Sequence, residues 1–461
     1  MTIDKSRIQI NLPEKVKLII NTLNDAGFEA YAVGGCVRDS ILGRIPKDWD
    51  ITTSAKPLEV KKHFRRTIDT GIQHGTVTIM MGNEGYEVTT YRIDCEYEDM
   101  RHPKEVIFTD RLVEDLKRRD FTINAMAYSD KTGLVDEFDG LSCIESKTIK
   151  AVGNAHDRLS EDALRILRAI RFAAELDYTM DDELTEAIKE LAPNLSKISA
   201  ERICTELIKM LKSDHPDEIR NAYKLGITKV ILPEFDRCME TEQNTPHHMY
   251  SVGEHTIHTL LEINKFKDEF TDRENRIIKL AMLFHDFGKP EMKTTDAAGI
   301  DHFKMHPEVS EQIAAKIMKR LKLDNDTIDN VKALVRWHDY RPKLTEPRVR
   351  RLMVKVGIDR MPMHIKVRIA DTLSQSEYER EEKLNYLSEL KVKYEKIIER
   401  GDCLTIKDLK ISGKDLISNG IGEGPVLGKI LKTLLEDVLD DPKRNNQEYL
   451  LKRAFEIKEE I

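Results

Sequence analysis

Residues 34–53 read GGCVRDSILGRIPKDWDITT and follow directly on FEAYAV, residues 28–33. The alternation of 28–33 predicts a strand that runs into the Gly34-Gly35 turn, and Val37 to about Leu42 has the spacing of a short helix. Asp48 to Thr53 reads as a second strand. In a strand, side chains two apart share a face, so Asp48 and Asp50 are placed side by side. Two adjacent carboxylates repel, and a divalent cation between them removes the penalty. Mg²⁺ takes oxygen ligands and keeps positions open for phosphate oxygens. The glycines let backbone N–H groups approach phosphates at a helix N-terminus, and Arg38 offers a forked contact to the same groups.

Working outward, residues 75–80 and 85–92 read as two further strands separated by the turn MGNEG, and this mixed unit ends near residue 150. From Ser160 onward the pattern is helical, with Leu-rich periodic stretches over 160–230, 255–290, 305–340 and 365–400 and one glycine-rich break at 413–428. The expectation is an α+β chain with a mixed head and a long helical remainder. Its 461 residues suggest about three domains. The net charge of −8 excludes a globally basic nucleic-acid coat protein, and 6% aromatics disfavour a base-stacking platform. No apolar run is long enough to span a membrane, and the N-terminus has no signal-like core. The cysteines Cys36, Cys95, Cys143, Cys204, Cys238 and Cys403 form no C-x-x-C pair, which reads as a reduced, cytoplasmic protein.

The segment Ser160–Ala174 reads as one amphipathic helix with Ser160 as N-cap and Glu161 and Asp162 in the first turn. Ala163, Ile166, Leu167 and Ile170 form the apolar stripe. Asp162, Arg165, Arg168 and Arg171 spread over the opposite half. Three arginines this close repel one another, and an anionic ligand would relieve them.

GGCVRDSILGR with DWDITTSAKP resembles the first signature of the class II tRNA nucleotidyltransferases, the CCA-adding enzymes and their bacterial poly(A) polymerase relatives. Tyr91-Arg92 with the loop Glu96–Asp99, RRDFTINAMAY (118–128), EDALRILRAIRF (161–172) and the tail LKISGKDLISNGIGEGPVLGKIL agree in order. The resemblance spans nearly the whole chain. It implies a DNA polymerase β-like head at 1–150, a helical neck at 151–235 that recognises the nucleotide base, and a tRNA-binding tail at 376–461. It implies addition of C, C and A to tRNA from CTP and ATP with Mg²⁺ at Asp48 and Asp50. Gly34, Gly35, Arg38, Arg119, Asp162, Arg165, Arg168 and Arg171 would bind the nucleotide. Adenine and cytosine each present an amine donor beside a ring-nitrogen acceptor. A carboxylate and a guanidinium, Asp162 and Arg165, match that edge, and uracil and guanine do not fit it. Glu87 offers a third carboxylate, or merely an edge-strand glutamate. An A-adding or poly(A)-type polymerase on the same scaffold is the nearest alternative. A signalling-nucleotide synthetase/hydrolase is the alternative of another class.

His255, His285-Asp286 and Asp371, in that order, resemble the HD-domain metal phosphohydrolases and give an HD domain at 236–375. His306 and His338 offer themselves as extra ligands. Mixed nitrogen and oxygen donors do not specify the second divalent metal. His247-His248 reads as a loop feature without a role. Residues 341–368 hold nine Lys/Arg against two acids, an expected phosphate-contacting surface. Ile421–Gly428 reads as a glycine turn opening a helix. No protein partner and no membrane are implied.

Overall fold

A computed structural model describes residues 5, 8–94 and 106–460, so the expected loop Glu96–Asp99 lies outside the described residues. The chain divides into two compact units, Met1–Pro233 and Glu234–Ile461.

The first unit is built on a sheet. Its strands are β1 (Ala30–Val33), β2 (Ile51–Thr53), β3 (Thr67–Gly71), β4 (Thr76–Met81), β5 (Glu84–Thr90), β8 (Met126–Ser129) and β9 (Gly133–Asp136), while β6 (Arg92–Asp94) and β7 (Val106–Phe108) pair apart from it. The spatial order is β3-β4-β5-β2-β1-β8-β9. β2 and β5 are parallel and the other neighbours antiparallel. All four residues of β1, AYAV, are buried, as a central strand requires.

Two expectations are corrected here. The second strand begins at Ile51, so Asp48 and Asp50 precede it. Asp50 still joins the sheet through its carbonyl, which accepts from Val33 N at 3.0 Å. The β-branched run Ile51-Thr52-Thr53 fills the strand, whereas Asp48 and Asp50 are exposed and poor strand formers. Ser160–Ala174 is not one helix either. One helix spans Ala155–Glu161, capped by Asn154 rather than Ser160, and the next spans Leu164–Leu176. The break falls at Asp162, whose backbone is extended and whose Oδ1 accepts from Leu164 N at 3.0 Å. A short carboxylate that bonds its own backbone competes with the helix ladder and starts a new helix instead.

The second unit is helical apart from one two-residue strand pair, Thr294–Thr295 with Asp301–His302. The helix Asp272–Phe284 starts with a capping box, Thr271 with Glu274, and its last seven residues except Lys279 are apolar and buried. It therefore delivers His285 and Asp286, at its end, into the interior. Near the C-terminus one core joins Val349, Leu352 and Met353 to Leu387, Leu390, Ile430, Leu434 and Leu450. Hydrophobic packing thus unites the helix Glu346–Val356 with the helices of the tail. Pro425 opens the helix Pro425–Asp440 behind Gly424 at φ 119°, the glycine turn the sequence shows there.

Candidate active site and a buried histidine–aspartate cluster

In the first unit Gly34 ends β1 at φ 84°, with its N–H bonded to Met126 O at 3.0 Å. A Cβ there would stand 2.8 Å from Arg119 Nη1, so only glycine admits the guanidinium this close. Arg119 is held from the other side by Asp115, 3.7 Å away. Asp115 is fully buried and accepts from Thr52 Oγ1 at 3.0 Å and Arg118 Nη2 at 2.7 Å. Burial alone would raise its pKa, but Arg118 and Arg119 outweigh that and hold the carboxyl below its ordinary range. Arg119 Nε is buried with no hydrogen-bond partner among the described residues. It is a donor poised for an acceptor.

Crowding by the protein raises the Asp50 carboxyl, the Arg119 charge opposes this and the Asp48 charge adds to it. The Asp50 side chain is nonetheless exposed, so water offsets part of the rise. β2 and β5 run parallel with Ile51 beside Val88, which makes Asp50 and Glu87 the next residues back along neighbouring strands. Glu87 is thus in the middle of the sheet, not on an edge. Asp48 and Asp50 just before β2 are exposed carboxylates, with Glu87 exposed on the neighbouring strand, and oxygen donors of this kind suit a hard divalent cation.

The arginines of the neck are not left repelling one another. Arg165 Nη1 bonds Arg158 O at 2.7 Å and pairs with Glu161, Arg168 pairs with Asp120 at 2.6 Å, and Arg171 pairs with Glu206 at 2.6 Å and with Glu175. The chain itself therefore supplies the anions that the sequence pattern calls for. Arg38 is likewise buried, with Nη1 on Asn124 Oδ1 at 2.6 Å and Nε and Nη2 on Asp39. Its fork is taken up inside the protein, and it braces the turn rather than presenting free donors. Asn124 in turn donates to Asp120 at 3.1 Å. Arg38, Asn124, Asp120 and Arg168 thus form one buried network linking the glycine turn to the neck. The Phe172 ring carries the guanidinium groups of Arg38, Arg168 and Arg171 at 5.0, 5.3 and 4.0 Å from its centroid. Asp162 is bonded by Arg202 Nη2 at 2.7 Å, and Arg202 Nη1 is buried without a hydrogen-bond partner among the described residues. Arg202, Asn124 and Phe172 carry no local signal of these roles, because each acts through a contact distant in sequence.

The second unit gathers six buried ligand-type residues. His255, His285 and Asp371 form one group, and Asp286, His306 and His338 another. Each imidazole has Nδ1 on a backbone carbonyl: His285 on Met282 and His338 on Val335 at 2.7 Å, His306 on Phe303 at 2.8 Å, His255 on Ser374 at 3.3 Å. A carbonyl only accepts, so each Nδ1 donates, and Nε2 is the atom each ring turns toward the cluster. The Nε2 atoms then face one another in pairs, His255 with His285 at 3.4 Å and His306 with His338 at 3.3 Å. Ring nitrogens set this close, with carboxylates among them, make a donor set that divalent cations fit. Asp286 lies between the groups, Oδ2 3.3 Å from His285 Nε2 and Oδ1 3.3 Å from His306 Nε2. The residues fit divalent metal: His255, His285 and Asp371 on one side and Asp286, His306 and His338 on the other would hold it, with Asp371 3.0 Å from His255. His306 and His338 belong to the cluster. His247 and His248, given no role by sequence, line the adjoining cavity.

The basic stretch 341–368 is open only in part: Arg341, Lys343, Arg348 and Lys355 are exposed. Arg350 is buried on Asp402 and Glu346, Arg351 pairs with Glu436 and Asp440, Lys366 with Glu269, and Arg368 is buried. Carboxylates distant in sequence neutralise much of the local excess.

A family model described as Poly A polymerase head domain matches residues 30–150. One described as the probable RNA and SrmB-binding site of polymerase A matches 177–239, and a putative tRNA nucleotidyltransferase domain 2 matches 294–454. Sheet, glycine turn and paired aspartates with these matches define a nucleotidyltransferase. The CCA-adding enzyme of Limosilactobacillus reuteri (strain DSM 20016) is 34% identical over 450 residues, 97% of either chain. That of Pediococcus pentosaceus is 33% identical over 448 residues, 97% of this chain and 98% of the relative. The solved structure of the Bacillus stearothermophilus CCA-adding enzyme in complex with CTP superposes with a TM-score of 0.72 at 27% identity, covering 98% of this chain and 100% of that one. The chain belongs to the CCA-adding enzyme family. No helix among the described residues is long and apolar enough to cross a membrane.

Proposed function

We infer that this protein adds C, C and A to the 3′ end of tRNA from CTP and ATP, releasing pyrophosphate. The observation that carries this is 34% identity to a CCA-adding enzyme along 97% of both chains. These substrates place it in the cytoplasm. Residues 1–150 are the catalytic head, 151–235 the neck that selects the base, 236–375 the HD domain with the second metal centre, and 376–461 the tRNA-binding tail.

The terminal 3′-hydroxyl of tRNA attacks the α-phosphate, and the bond to pyrophosphate breaks. Asp48 and Asp50, with Glu87 beside them, hold Mg²⁺. Its charge, when bound, eases deprotonation of the hydroxyl and offsets the charge of the departing pyrophosphate. Arg119 donates from its free Nε to the triphosphate, and Gly34 leaves room for it. Asp162 accepts from the amine of cytosine or adenine and Arg165 donates to the neighbouring ring nitrogen. Arg202 and Glu161 fix the direction of these two side chains, Arg168 holds the neck helix to the head through Asp120, and Arg171 braces the neck internally through Glu175 and Glu206. Each mispaired edge costs roughly 1–3 kcal/mol, enough to reject UTP and GTP without a template. Incubating tRNA that lacks CCA, and tRNA ending in CC, with each labelled nucleotide tests this. The first should take CTP and the second ATP; incorporation of UTP or GTP at comparable rates contradicts it.

A second reading is favoured by the facing Nε2 pairs of the buried cluster: a metal-dependent phosphohydrolase at His255, His285, Asp286, His306, His338 and Asp371. Divalent metals held there would supply a water of lowered pKa. Water attacks phosphorus, the ester P–O bond breaks, and the leaving oxygen takes the proton that water gives up.

A further inference from the structure

The cavity beside the cluster has a volume of about 490 Å³, more than the metals alone need, and one wall of it comes from the loop Thr245–His248 with Lys383, Arg341 and Lys304. Lys383 is nearly buried. It donates to His247 Nδ1 at 3.1 Å and to Gln375 Oε1 at 3.0 Å. Gln375 donates to both oxygens of Asp371 at 3.1 Å, so the wall is tied to a metal ligand.

An ammonium can only donate, so His247 Nδ1 accepts and its proton sits on Nε2. Burial and the Lys383 charge both lower the His247 pKa and keep the ring neutral. Its orientation is fixed by an edge contact with Tyr378, ring centroids 4.9 Å apart, and by Ser376 N on the His247 carbonyl at 2.8 Å. The same logic applies to His248. Its Nε2 lies 3.4 Å from Lys289 Nζ, which leaves the proton on Nδ1. That Nδ1 is buried and has no hydrogen-bond partner among the described residues, and neither has Thr245 Oγ1. Buried donors without acceptors cost free energy unless a ligand completes them. Arg341 stands 3.6 Å from Asp339, and its guanidinium is otherwise open to the cavity. The wall thus offers neutral donors backed by positive charge, facing a cluster suited to divalent cations. Its complement is a compact anion with several acceptor oxygens.

We propose that Thr245, His247 and His248, backed by Lys383 and Arg341, form the phosphate-gripping wall of this second site, and that the site takes a terminal phosphate monoester. The inference rests on the reading of the cluster as a metal-dependent hydrolytic centre. A monoester dianion presents three non-bridging oxygens, enough to reach both the metals and the wall, whereas a diester presents two.

The test uses the full chain loaded with Mn²⁺, as wild type, His247→Leu, His247→Gln and Lys383→Met. It reads Mn²⁺ stoichiometry, orthophosphate affinity by titration calorimetry, and KM and kcat on p-nitrophenyl phosphate. Mn²⁺ binding should be equal in all four. His247→Leu and Lys383→Met should weaken orthophosphate by roughly tenfold or more and raise KM in step, with a smaller change in kcat. His247→Gln, which restores an N–H donor, should recover part of the loss. Unchanged orthophosphate affinity in His247→Leu, or loss of Mn²⁺ from it, overturns the inference while leaving the hydrolytic reading standing. Wild type that binds Mn²⁺ and orthophosphate but hydrolyses nothing overturns the hydrolytic reading and the monoester assignment that rests on it, and leaves only the anion grip of the wall. Wild type that binds no Mn²⁺ overturns both.

Discussion

Replacing Gly34 by alanine should damage nucleotide addition far more than its single added methyl suggests. At φ 84° an alanine pays about 1–2 kcal/mol of backbone strain. Its Cβ would stand 2.8 Å from Arg119 Nη1, and the guanidinium must retreat by roughly 0.6 Å to reach an ordinary contact. Asp115 anchors Arg119 on the far side and resists that retreat. A donor moved off a phosphate oxygen forfeits about 1.5–3 kcal/mol, a loss of roughly tenfold to a hundredfold in kcat/KM for CTP and ATP. Gly35→Ala is the matched control. Its Cβ would meet only Arg38 Nη2, at 3.7 Å, so its effect should be distinctly smaller. Single-turnover CTP addition to tRNA lacking CCA, with thermal unfolding of each variant, makes the comparison. If Gly34→Ala keeps kcat/KM within twofold of wild type, Arg119 does not act on the nucleotide from this position.

Asp50→Asn should lower addition by roughly two orders of magnitude or more while tRNA affinity in a filter-binding assay stays level, because a neutral amide holds a divalent cation poorly. Asp162→Ala should slow CTP and ATP incorporation and shrink the penalty against UTP; an unchanged CTP-to-UTP ratio would place base selection elsewhere. His285→Ala should remove metal-dependent phosphate-ester hydrolysis measured with Mg²⁺, Mn²⁺, Co²⁺ and Ni²⁺ in turn, and nucleotide addition, whose residues lie in the other unit, should persist. Asp115 and Asp120 are both held below the ordinary carboxyl range, despite burial, by their arginines. A depressed folded-state pKa gives stability that is complete above the unfolded value of about 4 and is lost as pH falls through it toward the folded value. Thermal midpoints between pH 5 and pH 2 should therefore drop more steeply for wild type than for Asp120→Asn.

The head was legible in the sequence where chemistry and local conformation coincide. Gly34 marks a turn that only glycine can make beside Arg119. The apolar run before His285 signals a buried ligand pair. Sheet order was not legible: period-two alternation assigns faces but not neighbours, so Glu87 looked like an edge residue although β5 lies between β4 and β2. The break at Asp162 was hidden because amphipathic spacing continues across it, while the side chain bonds its own backbone. In the arginine pattern of 165–171 and the basic run 341–368, a local charge count hides the pairing for one reason. Their partners Asp120, Glu206, Asp402 and Glu436 lie tens of residues away, and local charge counting cannot see them. His247 and His248 gain meaning only once folding brings Lys383 and Lys289 beside them.

The central claim is that the head, with its neck, writes C, C and A on tRNA without a template. Sequencing the 3′ ends of tRNA lacking CCA after incubation with all four nucleotides tests it most directly. The account predicts a single product class ending in CCA, with three pyrophosphates released per tRNA. A run of adenosines, a stop at CC, or ends carrying U or G would contradict it.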